Sequence, residues 1–230
     1  MSYKEAIEAK IVSDYKIVSF NVSNDEYEQI IQNNEYIRTN KTLKLQSDLS
    51  SRELATALAL RKAFKELNIN KALSFHSSIT RADKFEELNK DINRDFKKYP
   101  QLETFHVSSK QSTSKRTLEM RSFEKSDKSL MTNARCLTEG VDVPAIDCVS
   151  FIDPKRSKID IVQAAGRAMR INKGKKFGYI LVPIITNDAD IRSASLDTDY
   201  EDLITIITSL ATQDERLIDE IKSYNKNMAV

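Results

Sequence analysis

The stretch Gln163-Ala164-Ala165-Gly166-Arg167-Ala168-Met169-Arg170 holds the most chemically pointed spacing in the chain. Arg167 lies four residues after Gln163, and Arg170 three after Arg167. On a helix, positions three and four apart share a face. Gln163, Arg167 and Arg170 are therefore expected to project together, leaving Ala164, Ala165 and Ala168 to pack closely against a neighbour. A guanidinium is a planar fork of N–H donors matched to carboxylate or phosphate oxygens. Two of them on one face suit a polyanion, above all the phosphates of a nucleotide on its way to a transition state. The plainer alternative is a pair of surface ion pairs to acids such as Asp160, which contribute little, about 0–1 kcal/mol.

Such a helix needs a scaffold, and the surrounding pattern supplies one. Residues 15–22, 72–79, 102–107, 129–132, 148–152 and 178–183 read as strands, apolar and rich in β-branched and aromatic residues. Between them, residues 49–67, 80–97, 114–125 and 159–171 carry apolar residues at helical spacing, and 24–34 reads as a polar surface helix. Strands separated by helices of this length indicate βαβ units and a parallel sheet with helices on both faces. After about residue 186 the pattern changes to two amphipathic helices, 200–210 and 214–224. The expected organisation is an α/β domain over 1–186 and a helical extension over 187–230. Sites in open parallel sheets form at the carboxyl ends of strands. Ser77 and Ser78, Ser108 and Ser109, and Thr132 and Asn133 fall at such ends, with Lys110 and Arg116 close by. Small hydroxyls beside exposed backbone N–H groups make good phosphate contacts; the same residues also serve as ordinary helix caps.

Q-x-x-G-R-x-x-R resembles motif VI of superfamily 2 helicases and translocases. Leu130-Met131-Thr132-Asn133, followed by Thr138-Glu139-Gly140-Val141-Asp142-Val143-Pro144, resembles motif V, and the gap from Asp142 to Gln163 fits the family's spacing. The resemblance implies a RecA-like three-layer domain, the second of two, with a mainly parallel sheet. It implies that Arg170 is the finger on the γ-phosphate and that Arg167 contacts phosphate or couples the two domains. Gln163, Gly140 and Asp142 join the nucleotide-binding set, the glycine keeping a loop compact and the acid taking the ribose hydroxyls or a bridging role. Ser77, Ser78, Ser108, Ser109, Lys110, Thr132 and Asn133 become candidates for holding a nucleic-acid backbone. Without the resemblance, Gly140 and Asp142 read as a turn closed by an Asx-type bond. Glu139 stands where the DEAD-box RNA-helicase branch usually carries Arg, and the segment 132–142 is two residues longer than in that branch. The form resembles the DNA-acting type I and type III restriction and repair branches, so the expected partner is DNA rather than RNA.

No G-x-x-x-x-G-K-[ST] phosphate loop exists, and no Asp-Glu-x-His or Asp-Glu-x-Asp magnesium motif. ATP and Mg2+ are therefore expected to be held mainly by another part of the molecule, an N-terminal RecA-like domain of the same polypeptide. The opening Glu5-Ala6-Ile7 and Asp14-Tyr15-Lys16-Ile17-Val18 resembles the segment just beyond that first domain in restriction-type enzymes. The chain is expected to be one half of an ATP-dependent DNA helicase or translocase, inactive in ATP hydrolysis alone. Two other readings stand beside this one. One is a stand-alone nucleic-acid-binding module without ATPase activity. The other is an unrelated α/β phosphate binder in which the arginine spacing is coincidental.

Composition limits the remaining classes. With 230 residues, 40% hydrophobic and 30% charged, the chain is long enough for one sizeable core and is not of disordered type. The net charge is +2, yet residues 155–176 hold eight basic side chains against the single acid Asp160, while 187–220 run acidic. A local basic region can bind phosphate although the total is nearly neutral. Cys136, Cys148, His76 and His106 lack metal-type spacing, so no metal site is expected. No apolar run approaches the roughly 18 residues of a membrane span and no signal peptide is visible, so a cytoplasmic location is expected.

Overall fold

The computed structural model describes residues 2–22, 48–95, 97–134, 146–153, 157–172, 174–185 and 198–218. Gly140 and Asp142, with the rest of the segment resembling motif V after Ala134, lie outside the described residues, as do the expected helix 24–34 and residues 219–224. Six strands form one sheet: β1 (Asp14–Val22), β2 (Lys71–Phe75), β3 (Glu103–Ser108), β4 (Ser129–Ala134), β5 (Cys148–Phe151) and β6 (Phe177–Ile185). Their order is β1-β6-β5-β2-β4-β3, and every pairing is parallel. Six helices are described: α1 (Tyr3–Glu8), α2 (Asp48–Glu66), α3 (Ile79–Asp95), α4 (Thr113–Lys125), α5 (Lys158–Ala168) and α6 (Thr198–Ala211).

Side chains alternate across a strand, and here both faces are covered. Leu73, Phe75, Met131, Val149, Phe151, Ile180 and Val182 share one core with Phe123 of α4, Ile161 and Ala164 of α5, and Ile206 and Leu210 of α6. Ala72, Leu130, Cys148 and Leu181 share the other with Leu54 and Phe64 of α2 and Phe85 and Ile92 of α3. This two-sided burial is why the central strands read as nearly continuous apolar runs. The expected three-layer α/β architecture is the one observed.

Local chemistry sets the element ends. α2 stops because Asn68 takes a left-handed backbone (φ +52°) and the Ile69 N–H reaches back to the Phe64 carbonyl (3.1 Å), the hydrogen bond that closes a Schellman-type cap. β2, expected to run to Ile79, ends at Phe75. Ser78 instead caps α3, its Oγ accepting from the Arg81 N–H (3.2 Å). The arginine helix, expected to reach Ile171, ends at Ala168. Past that point its carbonyls are taken from outside: Ser13 N–H donates to the Met169 carbonyl (2.7 Å) and Lys175 Nζ to that of Arg170 (3.0 Å). α1 was not expected. It begins with a capping box in which Ser2 Oγ accepts from Glu5 N–H (3.2 Å) and Glu5 Oε2 from Ser2 N–H (2.8 Å).

The described part of the extension packs on the domain through Ile206 and Leu210. Asp214 belongs to the acidic run of 187–220, yet it is buried. Its carboxylate accepts from the Tyr15 hydroxyl (3.0 Å) and from Arg216, which also bridges to Asp14 (3.0 Å). Burial alone would raise the Asp214 pKa; the hydrogen bonds from Arg216 and Tyr15 outweigh it and the net shift is downward. Among the described residues no helix is long and apolar enough to cross a membrane.

Helix and sheet approach closely at the start of β6. A Cβ built on Gly178 would sit 2.2 Å from the Ala168 carbonyl oxygen and 2.7 Å from its carbon, both backbone atoms. Gly178→Ala is therefore expected to destabilise the chain by about 1–3 kcal/mol. Urea denaturation of the 230-residue chain measures this; an unchanged midpoint would mean that α5 does not dock this tightly.

Candidate functional site

The arginine helix presents two contrasting faces. Ala164, Ala165 and Ala168 are buried against the sheet. Gln163 and Arg170 are exposed and Arg167 is half-buried, so the three polar residues do project away from the core together. Ser157 caps the helix, its Oγ accepting from the Asp160 N–H (3.3 Å), and Arg167 sits in the last turn, where a cation complements the helix dipole. Arg170 lies just past the helix in a tightened turn, its N–H reaching the Arg167 carbonyl (3.4 Å). Two large apolar side chains flank this face: Ile159 is 70% exposed and Ile171 56%. Gly166 has a steric role, because its Cβ would stand 3.3 Å from the Tyr3 hydroxyl. That hydroxyl donates to the Val162 carbonyl, and burial pushes the Tyr3 pKa up to about 12, keeping it protonated.

α5 runs antiparallel to the strands, so its arginine end lies at their amino edge. The strand-end loops lie at the opposite edge, roughly 16 Å away by the length of an eleven-residue helix. At that carboxyl edge Ser77, Ser109 and Lys110 are exposed and Ser78 half-buried. Ser108, Thr132 and Asn133 are buried instead. Thr132 Oγ1 lies 2.8 Å from His106 Nδ1, and the Asn133 carbonyl accepts from the His76 N–H (3.0 Å). Thr132 and Asn133 are interior because β4 is a central strand with a strand on each side. Ser108, Thr132 and Asn133 therefore bring buried rather than exposed side chains to this edge.

Asp153, which the sequence reading passed over, organises this edge. It is buried just after β5 and accepts from Ser77 N–H (2.8 Å), Ser77 Oγ (3.0 Å) and Arg81 Nε (2.8 Å), with a further contact to Arg81 Nη2. Glu53 of α2 stands 3.5 Å from the same guanidinium. Both Ser77 donors are thus turned inward onto a carboxylate. A signal was present in the sequence: an acid directly after a strand, on the edge where such folds place their polar groups. His106 carries a second acid, Asp83, 2.9 Å from Nε2 but out of line for a hydrogen bond.

His76 sits beside this hub with Nε2 3.0 Å from Ser74 Oγ and Nδ1 3.9 Å from Asp153. Burial dominates over the carboxylate and pushes its pKa down to about 4. An unfolded histidine titrates near 6.5. Between those values the unfolded chain binds a proton that the folded chain refuses, so stability is full above about 6.5 and falls as the pH drops towards 4. Denaturation midpoints at pH 7, 6 and 5 should decline for the wild type and decline less for His76→Gln; parallel profiles would remove His76 from the account.

Residues 52–172, more than half of the chain, match the helicase conserved C-terminal domain. A curated relative, "Probable helicase A859L" of African swine fever virus (isolate Pig/Kenya/KEN-50/1950), is 27% identical over 184 residues, which is 77% of this chain and 20% of that protein. Among solved structures, the ATP-dependent Type ISP restriction-modification enzyme LlaBIII bound to DNA superposes with a TM-score of 0.71 at 25% identity, over 94% of this chain and 15% of that one. A nuclease-deletion mutant of the Type ISP enzyme LlaGI in complex with a DNA substrate mimic shares the fold, with a TM-score of 0.54 at 21% identity, over 98% of this chain and 13% of that one. The chain thus spans about a fifth or less of these relatives. By its helicase-domain match and its all-parallel RecA-like sheet, the chain belongs to the helicase conserved C-terminal domain family.

Proposed function

We propose that this chain is the second motor domain of an ATP-dependent superfamily 2 DNA helicase or translocase. Its part is to bring Arg167 and Arg170 to the phosphates of ATP held on another domain. The observation that carries this reading is the division of α5: an alanine face buried on the sheet and a Gln163–Arg167–Arg170 face turned outward. A buried apolar face is common to surface helices; two guanidiniums on the outward side are what suit a separately held polyanion.

Arg170, at the exposed helix end, donates to terminal phosphate oxygens. Arg167, one turn earlier and half-buried, donates to an adjacent phosphate or to the facing domain. Guanidiniums already oriented where charge develops need no reorganisation during the reaction. With no phosphate loop in the chain, ATP with Mg2+ would be cradled elsewhere, in an N-terminal RecA-like domain of the same polypeptide, and would supply the phosphoanhydride whose hydrolysis drives movement. At the carboxyl edge, Ser78, Ser109 and Lys110 would hold strand phosphates; their exposure supports this, and Asp153 fixes Ser77 and Arg81 at the same edge. Gly140 and Asp142 belong to this reading as nucleotide-side residues on the strength of the sequence pattern alone. The DNA-bound LlaBIII superposition favours DNA over RNA. The boundary between 1–186 and 187–230 is a proposal about modular origin, since the described part of the extension packs on α5.

The test is DNA-stimulated ATP hydrolysis by the polypeptide that carries both motor domains. Arg170→Ala and Arg167→Ala are each expected to lower turnover by about 10³-fold or more while ATP still binds. Retained turnover in both variants would overturn the motor reading. Salt-dependent DNA binding with no turnover in any variant would favour a binding module instead.

A further inference from the structure

Lys175 follows the arginine turn, on the way into β6, and its ammonium is half-buried among backbone oxygens. Nζ donates to the carbonyls of Ile146 (2.6 Å), Arg170 (3.0 Å) and Ala168. An ammonium has three donors and no acceptor, so these three carbonyls engage all of it. The last carbonyls of a helix have no partner within the helix. Here Lys175 takes those at 168 and 170, and the Ser13 N–H takes the one at 169. The third arm, to Ile146, ties the turn to the chain just before β5. The backbone that carries Arg170 is thereby held at three successive residues by groups outside the helix.

We propose that Lys175 is a positioning residue for the arginine pair: its ammonium locks the 168–170 turn so that Arg170 meets phosphate, without touching the nucleotide itself. This rests on the reading of Arg167 and Arg170 as phosphate-binding residues. Lys175 borders a groove of about 780 Å³ at the amino edge of the sheet, faced also by Lys71, Asp127, Lys128, Asp147 and Lys176. Burial pushes the Lys175 pKa down to about 8, against the opposing pull of the Asp147 carboxylate. Burial raises the Cys148 thiol pKa far above its ordinary range, so that group stays protonated throughout. Deprotonation of Lys175 removes one donor and the charge, so a carbonyl of the turn loses its partner and the lock loosens.

The experiment measures kcat and KM for ATP at saturating DNA, from pH 6.5 to 9.5, in the two-domain polypeptide. The variants are Lys175→Met, Lys175→Arg, Arg170→Ala and the Lys175→Met/Arg170→Ala pair. Lys175→Met should lower kcat on the order of 10²-fold with little change in KM, as expected when only transition-state stabilisation is lost. The double variant should be no slower than Arg170→Ala, because residues acting through one another are not additive. Wild-type kcat should fall on the alkaline side with a midpoint near 8, and Lys175→Arg, which stays charged, should restore rate and move that limb upward. If Arg170→Ala collapses turnover but Lys175→Met does not, or if the double variant is slower by the product of both effects, this proposal fails and the arginine reading survives. If Arg170→Ala itself leaves turnover intact, both fail. Should Lys175→Met not fold, an unmoved alkaline limb in Lys175→Arg overturns the proposal and a shifted one upholds it.

Discussion

The close docking of α5 on the sheet is the contact on which the rest of the arrangement depends. Alanine is the smallest side chain with a Cβ, and three of them, Ala164, Ala165 and Ala168, form the buried face. They let the helix backbone approach until a Cβ on Gly178 would overlap the Ala168 carbonyl. At that separation rotation about the helix axis is not free, because turning it would drive Gln163 or Arg167 into an apolar core. Tyr3 on the Val162 carbonyl and Ser13 on the Met169 carbonyl then hold the middle and the carboxyl end of the same helix. Small residues inside and large cationic residues outside are two consequences of one packing constraint.

A parallel sheet has two chemically distinct edges, and this chain uses both. The carboxyl edge gathers loops in which Asp153 fixes Ser77 and Arg81 and Ser78 begins α3. The amino edge holds the arginine turn, Lys175 and the groove beside it. Because α5 spans the sheet, a rigid helix separates the surface proposed for nucleic acid from the surface proposed for nucleotide. Any coupling between them within this domain runs through packed elements rather than direct contact. The helical extension adds to that body: Asp214, Tyr15 and Arg216 clasp it to the start of β1, while Ile206 and Leu210 press on the core shared with α5.

What was legible in the sequence divides along physical lines. Two-sided burial leaves apolar runs, so the strands at 148–152 and 178–183 were readable within a few residues, and the edge strand at 15–22 was readable from its β-branched and aromatic residues. The i, i+4, i+7 pattern of Gln163, Arg167 and Arg170 specified a face, and the fold exposes that face. Thr132 and Asn133 look accessible from their neighbours in sequence, as a polar residue near a strand end does, yet both side chains are buried. Their burial follows from β4 lying between β2 and β3, a pairing that sequence spacing does not show. The same holds for Asp214: its partner Tyr15 is 199 residues distant. α1 was not expected although a signal for it was present, since Ser2 and Glu5 have the capping-box spacing. Lys175 was not legible, because nothing in its neighbours announces an ammonium that will meet three carbonyls from two segments.

The most direct test of the central claim compares ground-state and transition-state mimics in the two-domain polypeptide bound to DNA. Dissociation constants would be measured for ADP and for ADP with aluminium fluoride, in the wild type and in Arg170→Ala. A group that acts on developing charge strengthens binding in the transition state more than in the ground state. The account predicts that Arg170→Ala leaves ADP affinity nearly unchanged and weakens the aluminium fluoride complex by about 10³-fold. Equal loss for both ligands, or loss for neither, would contradict it and leave the outward face of α5 without a role in phosphate chemistry.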